Sequence, residues 1–207
     1  MTAPMGVSRV TEVARTVLPT THGRLQAIGF FDLHSGDEHL VLVSPLGIGS
    51  AADPPLVRVQ SECLTGDVFG SQRCDCGPQL ERALTLVGGH PGLIVYLRGH
   101  EGRGVGLLAK LAAYRLQDQG LDTVDAQLEL GLPVDDREYG AAAGILELLD
   151  ARRIRLLTNN PRKVDALTAD GIDVVTVEPL RIASTPDNAA YLRAKRDRLG
   201  HDLPVDP

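Results

Sequence analysis

The stretch Ile154–Val177, IRLLTNNPRKVDALTADGIDVVTV, decides the fold class. IRLLT is an apolar run of strand length. Asn160 then stands where a helix N-cap belongs. Pro161 takes the first helical position, where a missing N–H costs nothing. RKVDALTAD continues as a helix, Gly171 punctuates it, and IDVVTV is a second strand. This is a β-α-β crossover, and it predicts an α/β architecture.

Upstream of that unit, REYGAAAGILELLD reads as a helix and LDTVDAQLELGLPVDD as irregular chain. GVGLLAKLAAYRLQDQG is the most regular helical stretch, with Gly120 placed as a C-cap. Arg103, Leu107, Lys110 and Tyr114 share one face of it if the helix begins early enough. GLIVYLR is a buried strand. Leu80, Ala83, Leu84 and Val87 follow helical spacing from Pro78 until GGHPG stops them. PLVRVQ, EHLVLVSPLG and RLQAIGFFDL are strands, the last two separated by the turn signal HSGD, and GSAADPP is a loop. Downstream, NAAYLRAKRDRLG predicts a charged helix at the surface or an interface. Residues 1–17 lack periodic apolar pattern and are expected to fray. Residues 18–207 are therefore expected to form one catalytic domain, a mixed α+β fold with mixed sheets flanked by helices and a C-terminal β-α-β unit.

Composition bounds the function. The chain has 207 residues, 43 % hydrophobic and 23 % charged, ordinary values for a soluble globular protein. No apolar run approaches the ~20 residues that span a bilayer. MTAPMGVSRV lacks a secretory pattern, so the cytoplasm is expected and no membrane partner. A net charge of −6 argues against a nucleic-acid backbone as main partner, while leaving room for a local cationic pocket.

The three cysteines, Cys63, Cys74 and Cys76, all fall within SECLTGDVFGSQRCDCG. In a reducing compartment such a cluster points to metal ligands or reactive thiols rather than disulfides. Three thiolates leave one tetrahedral position of a Zn²⁺ open, and water held there can ionise near neutral pH. Glu62 and Asp135 are candidates to assist it. A histidine, with His100 at hand, would instead complete a structural site. Spacing alone leaves the catalytic and structural readings open.

Three other segments are suited to anions. RGHEGRGVG combines Gly102, Gly104 and Gly106 with Arg98 and Arg103 at a helix entrance, although on motif grounds alone a flexible turn with solvated arginines is the stronger reading. At LLTNNPRKV, Thr158, Lys163 and the free N–H groups of the next helix make a second anion site, or ordinary capping. In PVDDREYG, Asp135 with Glu138 reads as a capping arrangement. Arg137 is then out of place, a cation in a first helical turn.

Taken in order and spacing, RVQSECLTGDVFGSQRCDCGPQL, RGHEGRGVGLLAKLAAYRLQDQGLDTVDA, LGLPVDDREYG and LLTNNPRKV closely resemble GTP cyclohydrolase II. The resemblance runs from about residue 57 to residue 180. It implies a catalytic Zn²⁺ on Cys63, Cys74 and Cys76, and Mg²⁺ with the triphosphate. It implies GTP contacts from Arg58, Val59, Gln60, Ser61, Glu62, Gln79, Glu101, Gly102, Arg103, Thr123, Thr158 and Lys163. Asp135 matches the family's proton acceptor, Arg137 its proposed nucleophile in pyrophosphate release, and Tyr114 an active-site tyrosine; Glu62 is a further catalytic candidate. The implied reaction opens the guanine imidazole ring at C8, releases formate and pyrophosphate, and yields 2,5-diamino-6-(5-phosphoribosylamino)pyrimidin-4(3H)-one, the first step of riboflavin biosynthesis. A homodimer is implied as well. Gln60 departs from the histidine of many members, and no fused dihydroxybutanone-phosphate synthase domain is visible, so the stand-alone form is expected. The rival readings are a divergent member that only opens the ring or only releases pyrophosphate, and a non-catalytic GTP-binding protein with structural zinc.

Overall fold

The computed structural model describes residues 8–204. Seven strands form one mixed sheet: β1 (Val10–Thr20), β2 (Gly23–Asp32), β3 (Glu38–Val43), β4 (Leu56–Ser61), β5 (Gly92–Leu97), β6 (Arg153–Leu157) and β7 (Asp173–Glu178). The spatial order is β1-β2-β3-β5-β4-β6-β7. β1, β2, β3 and β5 are antiparallel neighbours, and β5, β4, β6 and β7 are parallel ones. The fold is thus mixed α/β, with one continuous sheet where several were expected.

The crossover expected at Ile154–Val177 is present: β6, α6 (Pro161–Ala169) and β7, with Asn160 Oδ1 accepting from the Arg162 amide at 3.0 Å. The remaining helices are α1 (Leu64–Asp67), α2 (Cys76–Gly89), α3 (Leu107–Gln117), α4 (Asp125–Glu129), α5 (Gly140–Leu148) and α7 (Ala189–Leu199). Alternation along the strands divides the core. Val57, Val59, Leu93 and Val95 pack on the side of α5 with Ala142, Ile145 and Leu146. Leu56 and Ile94 face the other way, against Ala83 and Val87 of α2. Arg58 and Gln60 share that α2 side, because side chains two apart on a strand point the same way.

Topology then places the site. From β4 the chain crosses through α2 to β5 on one flank, and later returns as β6 on the other. The carboxyl end of β4 is therefore a topological switch point, where open sheets bind ligands. Ser61, Glu62 and Cys63 stand there.

Several local expectations are corrected. Residues 10–17, expected to fray, belong to β1; residues 1–7 lie outside the described residues. β1 is exposed along nearly its whole length, so no apolar alternation marks it. It is held by its ladder to β2, by buried Val10, and by the Arg9–Asp32 ion pair at 2.9 Å. α3 starts at Leu107, so Arg103 is not on its face but in the preceding turn; its other end is capped by Asp118, two residues before Gly120. LDTVDAQLE contains the short helix α4. α5 starts at Gly140, which leaves Asp135, Arg137 and Glu138 in irregular chain and removes the capping arrangement.

Candidate active site

α1 and the first turn of α2 bring the cysteines together. The Cys63, Cys74 and Cys76 sulfurs lie within 4.8 Å of one another, with Cys63 and Cys74 at 3.8 Å. Gly66 makes this convergence possible, since a Cβ there would meet the Cys63 and Cys74 sulfurs at 3.1 and 3.0 Å. Among the described residues no His, Asp or Glu joins the group. His100 instead sits 3.1 Å from Ser61 Oγ through Nδ1 and edge-on to Tyr139. Burial, then Lys163 and Arg137, push it down to about 3, so it is neutral. Three converging thiols with one side facing a cleft fit a soft or borderline divalent ion.

The cluster is electrostatically prepared. Lys110, on α3, donates to Cys63 Sγ at 3.1 Å, to Thr65 Oγ1 at 2.8 Å and to Glu101 Oε1 at 2.6 Å. The Cys63 thiol is drawn well below its ordinary range by hydrogen bonding from Cys74 and Cys76, and then by Lys110. Cys74 is pushed up to about 11 by sharing with Cys63, and Cys76 rises for the same reason together with burial. Burial would lower Lys110, but Glu101 and Cys63 outweigh it and keep it charged.

The cleft encloses about 1040 Å³ of atom-free space, part of it open to solvent, and the sulfurs line it. Every site residue implied by the family resemblance lines it except Val59 and Asp135. Val59 lies within β4, where its carbonyl accepts from Lys163 Nζ at 2.6 Å. Asp135 sits behind Arg137, which grips it bidentately at 2.8 and 2.7 Å, and Arg162 Nη1 approaches it at 3.0 Å. Arg98, the second cation expected from the glycine-rich loop, turns away to an exposed pair with Glu38. Glu62 accepts from the Gly99 amide at 2.9 Å, so Glu101 rather than Glu62 stands beside the Cys63–Lys110 pair.

The glycine-rich segment is a tight 3₁₀ turn, Glu101–Gly104, with left-handed Gly102 (φ 61°) and Arg103 (φ 65°). A non-glycine residue held at positive φ marks a backbone shaped by its surroundings. Arg103 thereby reaches Gln127 Oε1 at 3.0 Å, while its Nη2 is buried without a partner. Arg58, Arg103, Lys110, Arg137, Lys163 and Lys195 all line the cleft, so an acidic chain carries a cationic pocket. Lys163 is buried and pushed well below its ordinary range, by burial first and then by Arg58 and Arg137; an incoming anion would favour its charged form. Burial raises Tyr114, which keeps its phenol protonated.

Sequence reading missed Lys110 as a contact of Cys63, although its spacing from Tyr114 on one helical face was the available signal. It also missed the contribution of α7. That helix supplies Tyr191, Lys195 and Leu199 to the cleft, with His201 just beyond, and nothing in RAKRDRL distinguishes Lys195 from its charged neighbours.

The Asp135 carboxylate gives a pH test. Burial would raise it, but the hydrogen bond and charge of Arg137 hold it below its ordinary value. A depressed carboxylate stabilises the fold above its unfolded pKa of about 3.9, and that contribution is lost as pH falls through the folded value. Asp135→Asn is expected to cost about 3 kcal/mol at pH 7, as one partner of a buried pair is removed. The cost should shrink below about pH 4. Urea unfolding of both proteins at pH 7 and pH 3 checks this, and an equal difference at the two values would refute it.

The family model described as GTP cyclohydrolase II matches residues 11–179. Riboflavin biosynthesis protein RibBA of Mycobacterium marinum (strain ATCC BAA-535 / M) is 52 % identical over 197 residues, 94 % of this chain and 46 % of that protein. The RibBA of Mycobacterium tuberculosis (strain ATCC 25618 / H37Rv) has the same identity and coverage. That of Mycolicibacterium paratuberculosis (strain ATCC BAA-968 / K-10) is 51 % identical. The chain spans about half the length of these curated relatives, 46 % in each case. Among solved structures, RibBX, a two-domain 3,4-dihydroxy-2-butanone 4-phosphate synthase from A. baumannii, aligns with a TM-score of 0.46 and 20 % identity, over 84 % of this chain and 40 % of that one.

Proposed function

Because the chain belongs to the GTP cyclohydrolase II family, we propose that it hydrolyses GTP, opening the guanine imidazole ring at C8. Formate and pyrophosphate leave, and 2,5-diamino-6-(5-phosphoribosylamino)pyrimidin-4(3H)-one remains, as the first step of riboflavin biosynthesis. The observation that carries this reading is the placement of three converging sulfurs on the wall of a cationic cleft, rather than in a closed site. Cys63, Cys74 and Cys76 would hold one Zn²⁺. A zinc ion so held would supply Lewis acidity and make water more acidic.

The chain's own residues supply the rest. Arg103, with its free Nη2, Lys163 and Arg137 would take the triphosphate, accompanied by Mg²⁺. The Thr158 hydroxyl, which accepts from the Asn160 amide at 3.0 Å, keeps its own proton to donate. Lys110 holds Glu101 beside Cys63, which would orient the Glu101 carboxylate next to the reacting base. Tyr114, protonated and below Lys110 at 5.7 Å from its ring, can donate through its hydroxyl to charge that develops as the ring opens. Asp135 is a weak base while Arg137 and Arg162 grip it. A triphosphate that draws Arg137 forward would raise its basicity and let it accept a proton at Oδ1 or Oδ2. Gln60 keeps the position of the family histidine serviceable, because its carbonyl accepts from Arg58 while its amide donates to Asp67. A cytoplasmic homodimer completes the proposal.

Purified protein incubated with GTP, Zn²⁺ and Mg²⁺ is expected to release formate, pyrophosphate and the diaminopyrimidine in equal amounts. Formate without pyrophosphate, or the reverse, would make it a divergent member. GTP bound but unaltered would refute catalysis.

A further inference from the structure

A continuous chain of hydrogen bonds runs behind the three cysteines, from α7 to the start of the cysteine segment. Lys195 Nζ donates to both oxygens of Asp75, at 2.8 and 3.1 Å. Asp75 Oδ2 also accepts from Gln79 Nε2. Gln79 Oε1 accepts from Arg58 Nη2 at 2.8 Å, and Arg58 donates through Nε and Nη2 to Gln60 Oε1 at 3.0 and 2.8 Å. Gln60 Nε2 donates to Asp67 Oδ1 at 3.1 Å, and Asp67 Oδ2 accepts the Cys63 amide at 3.1 Å. Asp75 lies between Cys74 and Cys76 in the chain, so the network ties both ends of the cysteine segment to one frame. Lys195, Asp75, Arg58, Gln60 and Gln79 are all buried.

We propose that α7 is a working part of the metal site: Lys195 is a positioning residue that, through Asp75, locks the Cys74–Cys76 turn so that its sulfurs converge on Cys63. This rests on the metal reading above and extends it to a helix outside the matched residues 11–179. Asp75 has φ −97° and ψ 8°, and stands as the N-cap residue of α2 without a side-chain bond to the helix's own amides. Its carboxylate is engaged by Lys195 and Gln79 instead, so the turn carrying two ligands takes its orientation from those partners. Lys195 lies 120 positions away, and its ammonium is 5.3 Å from the centre of the Tyr191 ring on the same helix. The ion pair is enclosed, and removing the cation leaves a buried carboxylate to seek a new partner or water. Either response would turn the peptide that joins the two ligands.

The test is zinc affinity of the full chain, measured by competition with a chromophoric chelator. Lys195→Met and Asp75→Asn are each expected to weaken Zn²⁺ binding about 10- to 100-fold, the size of outer-sphere effects at metal sites. Combining them should weaken it less than the product of the two single effects, because both act through one contact. In Co²⁺-loaded protein, the tetrahedral d–d spectrum of each single variant should shift. Activity lost in Lys195→Met should return with added Zn²⁺. A raised KM for GTP that zinc does not reverse, with zinc affinity intact, would make Lys195 a substrate contact and overturn the proposal. Should Lys195→Met not fold, Asp75→Asn decides alone, since its amide keeps the bond from Gln79; unchanged zinc affinity in that variant overturns the role of α7. Parent protein that binds no zinc would sink the metal reading as well, whereas tight binding in parent and variants alike overturns only this inference.

Discussion

Cys74→Ser is expected to take formate release to background and to leave the protein folded. The Cys74 sulfur is buried and touches the Cys63 sulfur at 3.8 Å. Serine is nearly isosteric, so packing around Gly66 and the first turn of α2 survives. The hydroxyl, however, ionises far less readily than a thiol and is a poor partner for a thiophilic ion. Changes outside the ligand sphere cost 10–100-fold in metal affinity or activity; loss of one of three ligands should therefore cost roughly 10³-fold or more. Formate release and metal content measured on one preparation check this. Full formate release from Cys74→Ser would remove the metal from the account altogether.

Arg137→Ala is expected to slow pyrophosphate release by about 10²–10³-fold, the usual effect of deleting one donor aimed at transition-state charge. Arg137→Lys, which keeps the charge and loses the fork, should recover part of it. The resemblance implies that this arginine attacks the α-phosphate; we propose a clamp instead. Burial alone would lower its pKa, but the two hydrogen bonds to Asp135 outweigh burial and hold the guanidinium above its ordinary range. A guanidinium so held offers donors and no lone pair. It is suited to clamp the departing phosphoryl group. Rapid-quench mass spectrometry of the parent during turnover should show no guanylyl adduct, and a phosphoramide on Arg137 would defeat the clamp.

Much of the fold was legible because its signals are local. The crossover at Ile154–Val177 carries its N-cap, its proline and its glycine in the chain itself, and they act on neighbouring backbone groups whatever the surroundings. β1 was not legible. Its exposed residues bury too little to leave an alternating pattern, and only the ladder to β2 makes it a strand. The start of α5 was misplaced for a related reason. Asp135 and Glu138 have capping spacing, but Asp135 is occupied by Arg137 and Arg162, and Glu138 lies near Arg9 at 3.6 Å.

The chain alone determined which residue types are gathered for chemistry: three thiols in one segment, glycines and an arginine before α3, and a threonine and lysine at the β6–α6 junction. Short-range geometry suffices for that, since each group is fixed by neighbours a few positions away. Only the tertiary structure decided how these groups face one another. Lys110 meets Cys63 across 47 positions, Lys163 meets Val59 across 104, and Lys195 meets Asp75 across 120. Such pairings follow from the strand order, which folds distant segments onto the carboxyl end of β4, and a charged side chain on a helix carries no mark of the partner that burial will assign it.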